Sequence, residues 1–155
     1  VWNQNKASFN AKNNTTVTGM QYKAAEGFTL AFQNGWDKEA YTNGKIWQVA
    51  TLRPGKYRLE VTYAYTMVVS DVGNFISALM AKGNSESDIP NVADIEQLNG
   101  VCAIYDKAGT NDDSGILVTP SFEVTETTDV VIGFLTSLAK GNSDFKVTEL
   151  KLILE

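Results

Sequence analysis

The residues of this chain that could do chemistry are aromatic side chains set among polar ones in two irregular stretches. Trp36 is flanked by amide and carboxylate side chains, and Tyr105 enters a second polar stretch. A sugar ring offers C–H groups to an aromatic face and hydroxyls to amides and carboxylates, so this mixture is the chemistry that carbohydrate recognition uses. The alternative is that Trp36 and Tyr41 fold back and close the end of the core. The candidate sugar contacts are Asn34, Trp36, Asp37, Tyr41, Tyr105 and Asn111.

Two aspartates offer a different chemistry, the binding of a hard cation. Asp112 and Asp113 stand in the run Asn111-Asp112-Asp113-Ser114, and carboxylate oxygens are ligands that calcium prefers. The run lacks the regular spacing of an EF-hand loop, and a solvated turn rich in Asx residues is the plainer interpretation. Asp112 and Asp113 are therefore candidate ligands of a structural calcium ion, and we expect no other cofactor.

The chain has no recognisable catalytic machinery. It contains no histidine, which removes the commonest general base and zinc ligand, and the single cysteine, Cys102, has no histidine to activate it. Glycoside hydrolysis needs only two carboxylates, but no pair is distinguished from the surface carboxylates of an acidic protein. We therefore expect a protein that is not an enzyme. The carboxylates in or near irregular stretches are Asp37, Glu39, Asp106, Asp112 and Asp113.

Length and charge narrow the class of protein further. A chain of 155 residues with 43% hydrophobic residues can bury one ordinary core, so we expect a single domain over residues 1–155. The net charge of −5 would repel a phosphate backbone, which argues against a nucleic-acid partner. No apolar run is long enough for a membrane-spanning helix, so we expect no direct membrane insertion.

The candidate side chains must be positioned by strands, and the sequence clearly indicates one of these strands. Large apolar residues at Tyr57, Leu59, Val61, Tyr63 and Tyr65 alternate with smaller or polar ones, which is the period of two that a half-buried strand shows. A Pro-Gly pair precedes this run and is typical of a type II turn. We therefore expect residues 46–52 to form a hairpin with residues 57–65.

A second hairpin and a bulge are expected near the end of the chain. Residues 121–125 and 129–135 are two β-prone runs joined by a short polar connection. In the last element the apolar parity changes after Val147, and one extra residue near Thr148 and Glu149 would produce that change. We interpret it as a β-bulge.

Weaker strand signals complete an all-β pattern of about eight to nine strands. A short helix is predicted only around residues 92–98, and the long connections 34–45, 82–100 and 108–115 are the expected places for function. This spacing predicts an antiparallel β-sandwich or jelly roll. The weaker strands are predicted at residues 15–22, 27–33, 75–81, 101–105 and 116–118.

Several of these strand and turn motifs together resemble galactose-binding-domain-like jelly rolls. The motifs are Trp47-Gln48, the run from Leu52 to Val61, Phe122-Glu123-Val124, Asp129 to Phe134, and Phe145 to Leu152. They look most like accessory domains of surface lipoproteins and secreted polysaccharide-degrading proteins of gut Gram-negative anaerobes. The resemblance implies an eight- or nine-stranded sandwich, export to the cell surface or periplasm within a lipoprotein or secreted protein, and sugar binding by loops at one end.

Two functions remain open at this point. The first is a non-catalytic carbohydrate-binding accessory module whose partners are a glycan or polysaccharide and the neighbouring domains of a larger protein. The second is a structural or protein-interaction spacer domain with no small-molecule ligand. Exposure of the aromatic candidates favours the first function, and their burial in the core favours the second.

Overall fold

The computed structural model describes residues 2–5, 9–12, 16–23, 29–34, 40–68, 73–107, 113–139 and 143–155. Side chains are described for residues 2–5 and, from residue 40 onward, for all of these residues except Tyr65. Among these described residues, nine strands are five residues or longer, in agreement with the predicted number. The strands are β1 (Asn3–Gln4), β2 (Phe9–Lys12), β3 (Thr16–Lys23), β4 (Thr29–Asn34), β5 (Tyr41–Leu52), β6 (Gly55–Thr66), β7 (Phe75–Lys82), β8 (Gly100–Ile104), β9 (Asp113–Val118), β10 (Phe122–Val124), β11 (Thr128–Leu138) and β12 (Ser143–Leu154).

These strands form two antiparallel sheets. The first sheet, sheet A, has the order β1-β5-β11-β7-β8. The second, sheet B, has the order β10-β6-β12-β4-β3-β2, and β9 also pairs with β6. The protein is therefore a β-sandwich-like, all-β structure, as the strand pattern predicts. Among the described residues no helix is long and apolar enough to cross a membrane.

The main apolar core lies between the two sheets. The alternation in β6 turns Tyr57, Leu59, Val61 and Tyr63 into this core, and all four are buried. Sheet A contributes the inward positions of β5, β7 and β11, so both sheets share one core. The prediction that the period-two residues of β6 are core residues is confirmed for these four.

Neither predicted hairpin forms. β5 belongs to sheet A and β6 to sheet B, and β10 and β11 are likewise divided between the sheets. The Pro-Gly pair does not make a type II turn, because Gly55 is not among the residues of positive φ. In each case the connection passes across the core from one sheet to the other and forms an arch. Leu52 and Tyr57 illustrate the reason, since both bury their side chains in the same core from opposite sides.

The predicted bulge in β12 is confirmed. The pairing of β12 with β6 shifts register between Val147, which lies opposite Tyr63, and Glu149, which lies opposite Thr62. The extra residue is Thr148, whose hydroxyl donates to the Thr62 carbonyl over 3.3 Å. The shift returns Leu150 and Leu152 to the core side.

Residues 83–99, which we name the cap, cover the outer face of sheet A. They contain two 3-10 helices, Glu86–Asp88 and Val92–Gln97, and the second lies where the sequence predicts a short helix. Ile89 is fully buried in the cap and joins an apolar cluster with outward residues of sheet A. The cluster comprises Trp47, Leu79, Ala81, Ile89, Val131 and Leu135, with Phe75, Val92, Ile95, Leu98 and Cys102 packed against it.

Polar contacts fasten the cap to β5. The Lys45 ammonium donates to the Ile89 carbonyl, and the Val92 backbone N–H donates to Asn43 Oδ1 over 2.8 Å. Burial lowers the pKa of Lys45, and the carboxylate of Glu86 opposes that change. The contact between the cap and sheet A therefore contains the buried, hydrogen-bonded Lys45 of β5 in addition to the apolar cluster.

Candidate functional site

One end of the sandwich, which we name the loop end, gathers the ends of the strands that carry the sequence-predicted site. Asn34 ends β4, Tyr41 begins β5, Tyr105 directly follows β8 and Asp113 begins β9. The start of β12 and the end of β11 pair with these termini. The backbone thus brings the predicted stretches to the same end. The remaining predicted site residues lie outside the described residues: Trp36, Asp37, Asn111 and Asp112.

Tyr41 is a core residue and not an exposed platform, which corrects the sequence-based expectation. Its side chain is 6% exposed, and its hydroxyl shares a 2.8 Å hydrogen bond with Thr136 Oγ1, which is also buried. Desolvation raises the pKa of Tyr41, and the bond to Thr136 offsets only part of that rise. A sugar ring cannot stack on a side chain enclosed in this way.

Tyr105 is also buried, with 8% of its surface exposed, so the expectation of an exposed ring is wrong here as well. Its ring packs edge-on against Tyr63 and Phe145, with centroids 5.3 and 5.1 Å away. The Tyr105 hydroxyl donates to Asp113 Oδ2 over 3.0 Å, and the Tyr63 hydroxyl donates to the same oxygen over 3.4 Å. Desolvation and the Asp113 carboxylate both raise the pKa of Tyr105.

Asp113 is held by these hydroxyls and by Lys107, whose ammonium lies 3.6 Å from Asp113 Oδ2. Desolvation alone would raise the pKa of Asp113, but the Tyr105 hydrogen bond and the Lys107 charge together hold it below the usual carboxyl value. The carboxylate therefore serves to join β9 to β6 and β8. The described part of the chain contains no group of three or more His, Cys, Asp or Glu side chains that could hold a metal ion.

A cleft of about 370 Å³ opens away from the residues that the sequence predicts as the binding site. It lies beside the bulge of β12, across from β5. Its volume is within the range of small-molecule sites, which runs from roughly 300 to 1,000 Å³. The cleft is lined by Trp2, Gln48, Thr148, Glu149 and Leu150.

Three elements place these side chains. β1 pairs with β5, with Asn3 opposite Trp47, which brings the preceding Trp2 to the open side of the sandwich. The Trp2 ring then packs near Phe134 of the core, with centroids 6.2 Å apart. The pairing of β4 with β12 reaches only to Val147, so the bulge and the residues after it have no neighbour on that side among the described strands.

The cleft combines the groups that hydroxyl-rich ligands need. Trp2 supplies an indole, Gln48 an amide with two donors and one acceptor oxygen, and Glu149 a carboxylate. Glu149 is half exposed and lies 3.0 Å from the Lys151 ammonium, so its charge is partly balanced. Trp2 is not among the residues that the sequence predicts as sugar contacts. The sequence feature that could have indicated this cleft is the predicted bulge at Thr148, because bulges often redirect side chains beside functional sites.

A second depression, of about 280 Å³, lies between the cap and the end of β7. Its lining is polar, and its Asp88 carboxylate already accepts hydrogen bonds from the backbone N–H groups of Asn84 and Ser85, each over 2.9 Å. Asp88 therefore stabilises the turn that begins the cap. The lining residues are Lys82, Ser87, Asp88, Pro90, Asp94, Gln97 and Asn99.

Comparison with known proteins identifies the family but no activity. The model of a family described as a domain of unknown function, DUF5013, matches residues 1–133. No curated protein matches the sequence. Because the match extends over most of the chain, the chain belongs to the DUF5013 family.

Proposed function

We propose that this DUF5013 domain is a non-catalytic carbohydrate-binding module. The observation that carries the proposal is the cleft in which Trp2 stands with Gln48, Thr148 and Glu149. An aromatic ring beside amide, hydroxyl and carboxylate groups can bind the two kinds of surface that a sugar presents. The sequence predicts the same chemistry around Tyr41 and Tyr105, but both side chains are enclosed in the core.

The residues on the two sides of the cleft have different roles in the proposed binding. Trp2 is partly buried against the core, which fixes its ring and lowers the entropy cost of stacking. Gln48 comes from the rigid middle of β5, so its amide is held by the sheet. The bulge supplies Thr148 and Glu149 from the opposite side. We therefore expect a ligand of one or two sugar rings, because the volume of about 370 Å³ lies at the lower end of the range for ligand sites.

The test is calorimetric titration of the wild-type chain with neutral and acidic oligosaccharides of plant, mucin and host type. Trp2→Ala is expected to weaken binding at least about tenfold, because stacking and apolar burial together exceed about 1.4 kcal/mol. Gln48→Ala tests the cleft without removing the aromatic ring. Ile104→Ala is the control, because this exposed residue lies on β8, at the opposite edge of sheet A.

Trp36→Ala is measured in the same series, since Trp36 is the predicted aromatic contact that lies outside the described residues. Loss of binding in Trp36→Ala alone would move the site to the loop end. No binding of any glycan at about millimolar concentration would refute carbohydrate recognition altogether. Thermal unfolding of each variant confirms that the fold is retained.

The second candidate function is a structural or protein-interaction spacer domain, and a specific observation favours it. Tyr41 and Tyr105, which the carbohydrate hypothesis expected at the surface, are both buried. A spacer would bind no glycan and would contact the neighbouring domains of a larger protein. The titration separates the two functions, because only the first predicts heat that depends on Trp2 or Trp36.

The remaining parts of the proposal follow from the resemblance of the strand motifs. We propose that the two sheets correspond to a galactose-binding-domain-like jelly roll and that residues 1–155 act as a single module. We also propose that the module works outside the cytoplasm, at the cell surface or in the periplasm, as part of a lipoprotein or secreted protein. Fractionation of cells that express the natural full-length protein tests the location.

A further inference from the structure

Among the described strands, β9 lies at an edge of sheet B, and two of its outward side chains, Ile116 and Val118, are apolar. Ile116 is 60% exposed and Val118 is 47% exposed, while Leu117 between them packs against the core. Edge strands of natural proteins usually carry charged residues or proline, which prevent them from pairing with other chains. From Ser114 to Thr119 this chain has neither.

The hydrogen-bond pattern shows which backbone groups this edge presents. The Thr119 N–H donates to the Leu59 carbonyl over 3.0 Å, and the register of β9 on β6 places Leu117 opposite Val61. Because bonded pairs alternate along an antiparallel ladder, Leu117 bonds to β6 and its two neighbours do not. The N–H and C=O groups of Ile116 and Val118 therefore point away from β6. Among the described strands, β9 pairs with β6 alone.

We propose that this edge pairs with β9 of a second copy of the chain, antiparallel and with its two-fold axis at Leu117. In this register Ile116 lies opposite Val118 of the second copy, so the outward backbone groups of both residues form ladder hydrogen bonds. The two side chains then form an apolar pair on the same face, once on each side of the axis. A strand that complements itself in this way meets the requirement of a two-fold interface.

Charge at this edge does not repel a second copy, although the whole chain has a net charge of −5. No charged side chain lies between Ser114 and Thr119, so the register opposes no like charges. The nearest carboxylate across the sheet is Glu60, which lies opposite Val118 on β6 and is paired with Arg58 over 2.9 Å. The nearest carboxylate along the chain, Asp113, is held by Tyr105 and Lys107. Pro120 ends the interface, because it has no N–H to donate and interrupts the edge between β9 and β10.

The experiment is sedimentation velocity on the 155-residue chain over a wide concentration range, combined with amide hydrogen exchange. The expected result is a rise of the average mass from 16.9 kDa toward twice that value. Protection of the Ile116 and Val118 amides should rise with concentration, while the Leu117 amide is protected throughout by β6.

Three variants make the test specific. Ile116→Lys places an ammonium group against the apolar pair and is expected to abolish the dimer. Val118→Pro removes one outward N–H without touching the bonds to β6 and is expected to weaken the dimer. Val49→Lys is the matched control, because Val49 is 42% exposed on sheet A, away from this edge, and should leave the dimer intact.

Two outcomes would overturn the proposal. One is a chain that stays monomeric at all concentrations. The other is a dimer that persists in Ile116→Lys and leaves exchange at Ile116 and Val118 unchanged, since that dimer would use a different surface. The result does not depend on whether a glycan binds.

Discussion

The hydrogen bond between Tyr41 and Thr136 offers a quantitative test of the loop end. Both side chains are buried, and their hydroxyl oxygens lie 2.8 Å apart. Tyr41→Phe leaves the Thr136 hydroxyl buried without this partner, and Thr136→Val does the same to the Tyr41 hydroxyl. A buried polar group that loses its partner costs roughly 1–3 kcal/mol, so each single variant should lower the free energy of unfolding by that amount.

The double variant Tyr41→Phe with Thr136→Val should be less destabilised than the sum of the two single variants. It removes both hydroxyls, keeps the shape of both side chains and leaves no buried group unpaired, which can be close to neutral. The expected coupling is therefore about 1–2 kcal/mol in the direction of compensation, within the range for residues in contact.

Urea unfolding at neutral pH, followed by circular dichroism, gives the four free energies of this cycle. Tyr57→Phe is the matched control, since the Tyr57 hydroxyl donates to the Arg53 carbonyl in a partly exposed bond, and water can replace it. It should cost less than Tyr41→Phe. Additive single effects, with no coupling, would show that the two hydroxyls do not depend on each other and would refute the reasoning.

Three further predictions concern other parts of the fold. Gly133→Ala should strongly destabilise the protein, because the added Cβ would clash with the Ile46 carbonyl oxygen; urea unfolding measures the loss of stability. Ile89→Ala should cost about 2–5 kcal/mol through loss of a fully buried side chain in the cap, measured in the same way. The lowered pKa of Asp113 stabilises the fold above the ordinary carboxyl pKa, and that contribution is lost as the pH falls through the lowered value. Asp113→Asn should therefore lose less stability than the wild type in unfolding experiments from about pH 6 to about pH 3, and equal losses would contradict this account.

Local periodicity predicted the strands well because each strand carries its own pattern. Tyr57 to Tyr63 in β6 alternate as the structure requires, and the parity change at Thr148 correctly located the bulge. The pairing of the strands could not be predicted in this way, because it depends on contacts between residues that are far apart in the sequence. A short turn can close a hairpin or an arch, and the turn at Gly55 belongs to an arch because β5 and β6 find their partners in different sheets.

The candidate site was harder to predict from the sequence. An aromatic residue beside polar ones looks the same whether it faces water or closes the core, and Tyr41 and Tyr105 do the latter through hydroxyl bonds to Thr136 and Asp113. The cleft at Trp2 depends on β1 pairing with β5, and β1 is only two residues long. A strand of two residues is too short to show a periodic pattern in the sequence.

The cap covers a strand that would be prone to pair with other chains if its outer face were exposed. β11 is buried along almost its whole length, and its run from Val130 to Leu135 has no charge and no proline. Runs of this kind form stable intermolecular sheets when they are exposed. The main core covers one face of β11, and Val131 and Leu135 on the other face pack in the apolar cluster that includes Ile89 of the cap. The cap therefore shields from solvent an apolar face of a strand whose sequence would favour intermolecular pairing if it were exposed.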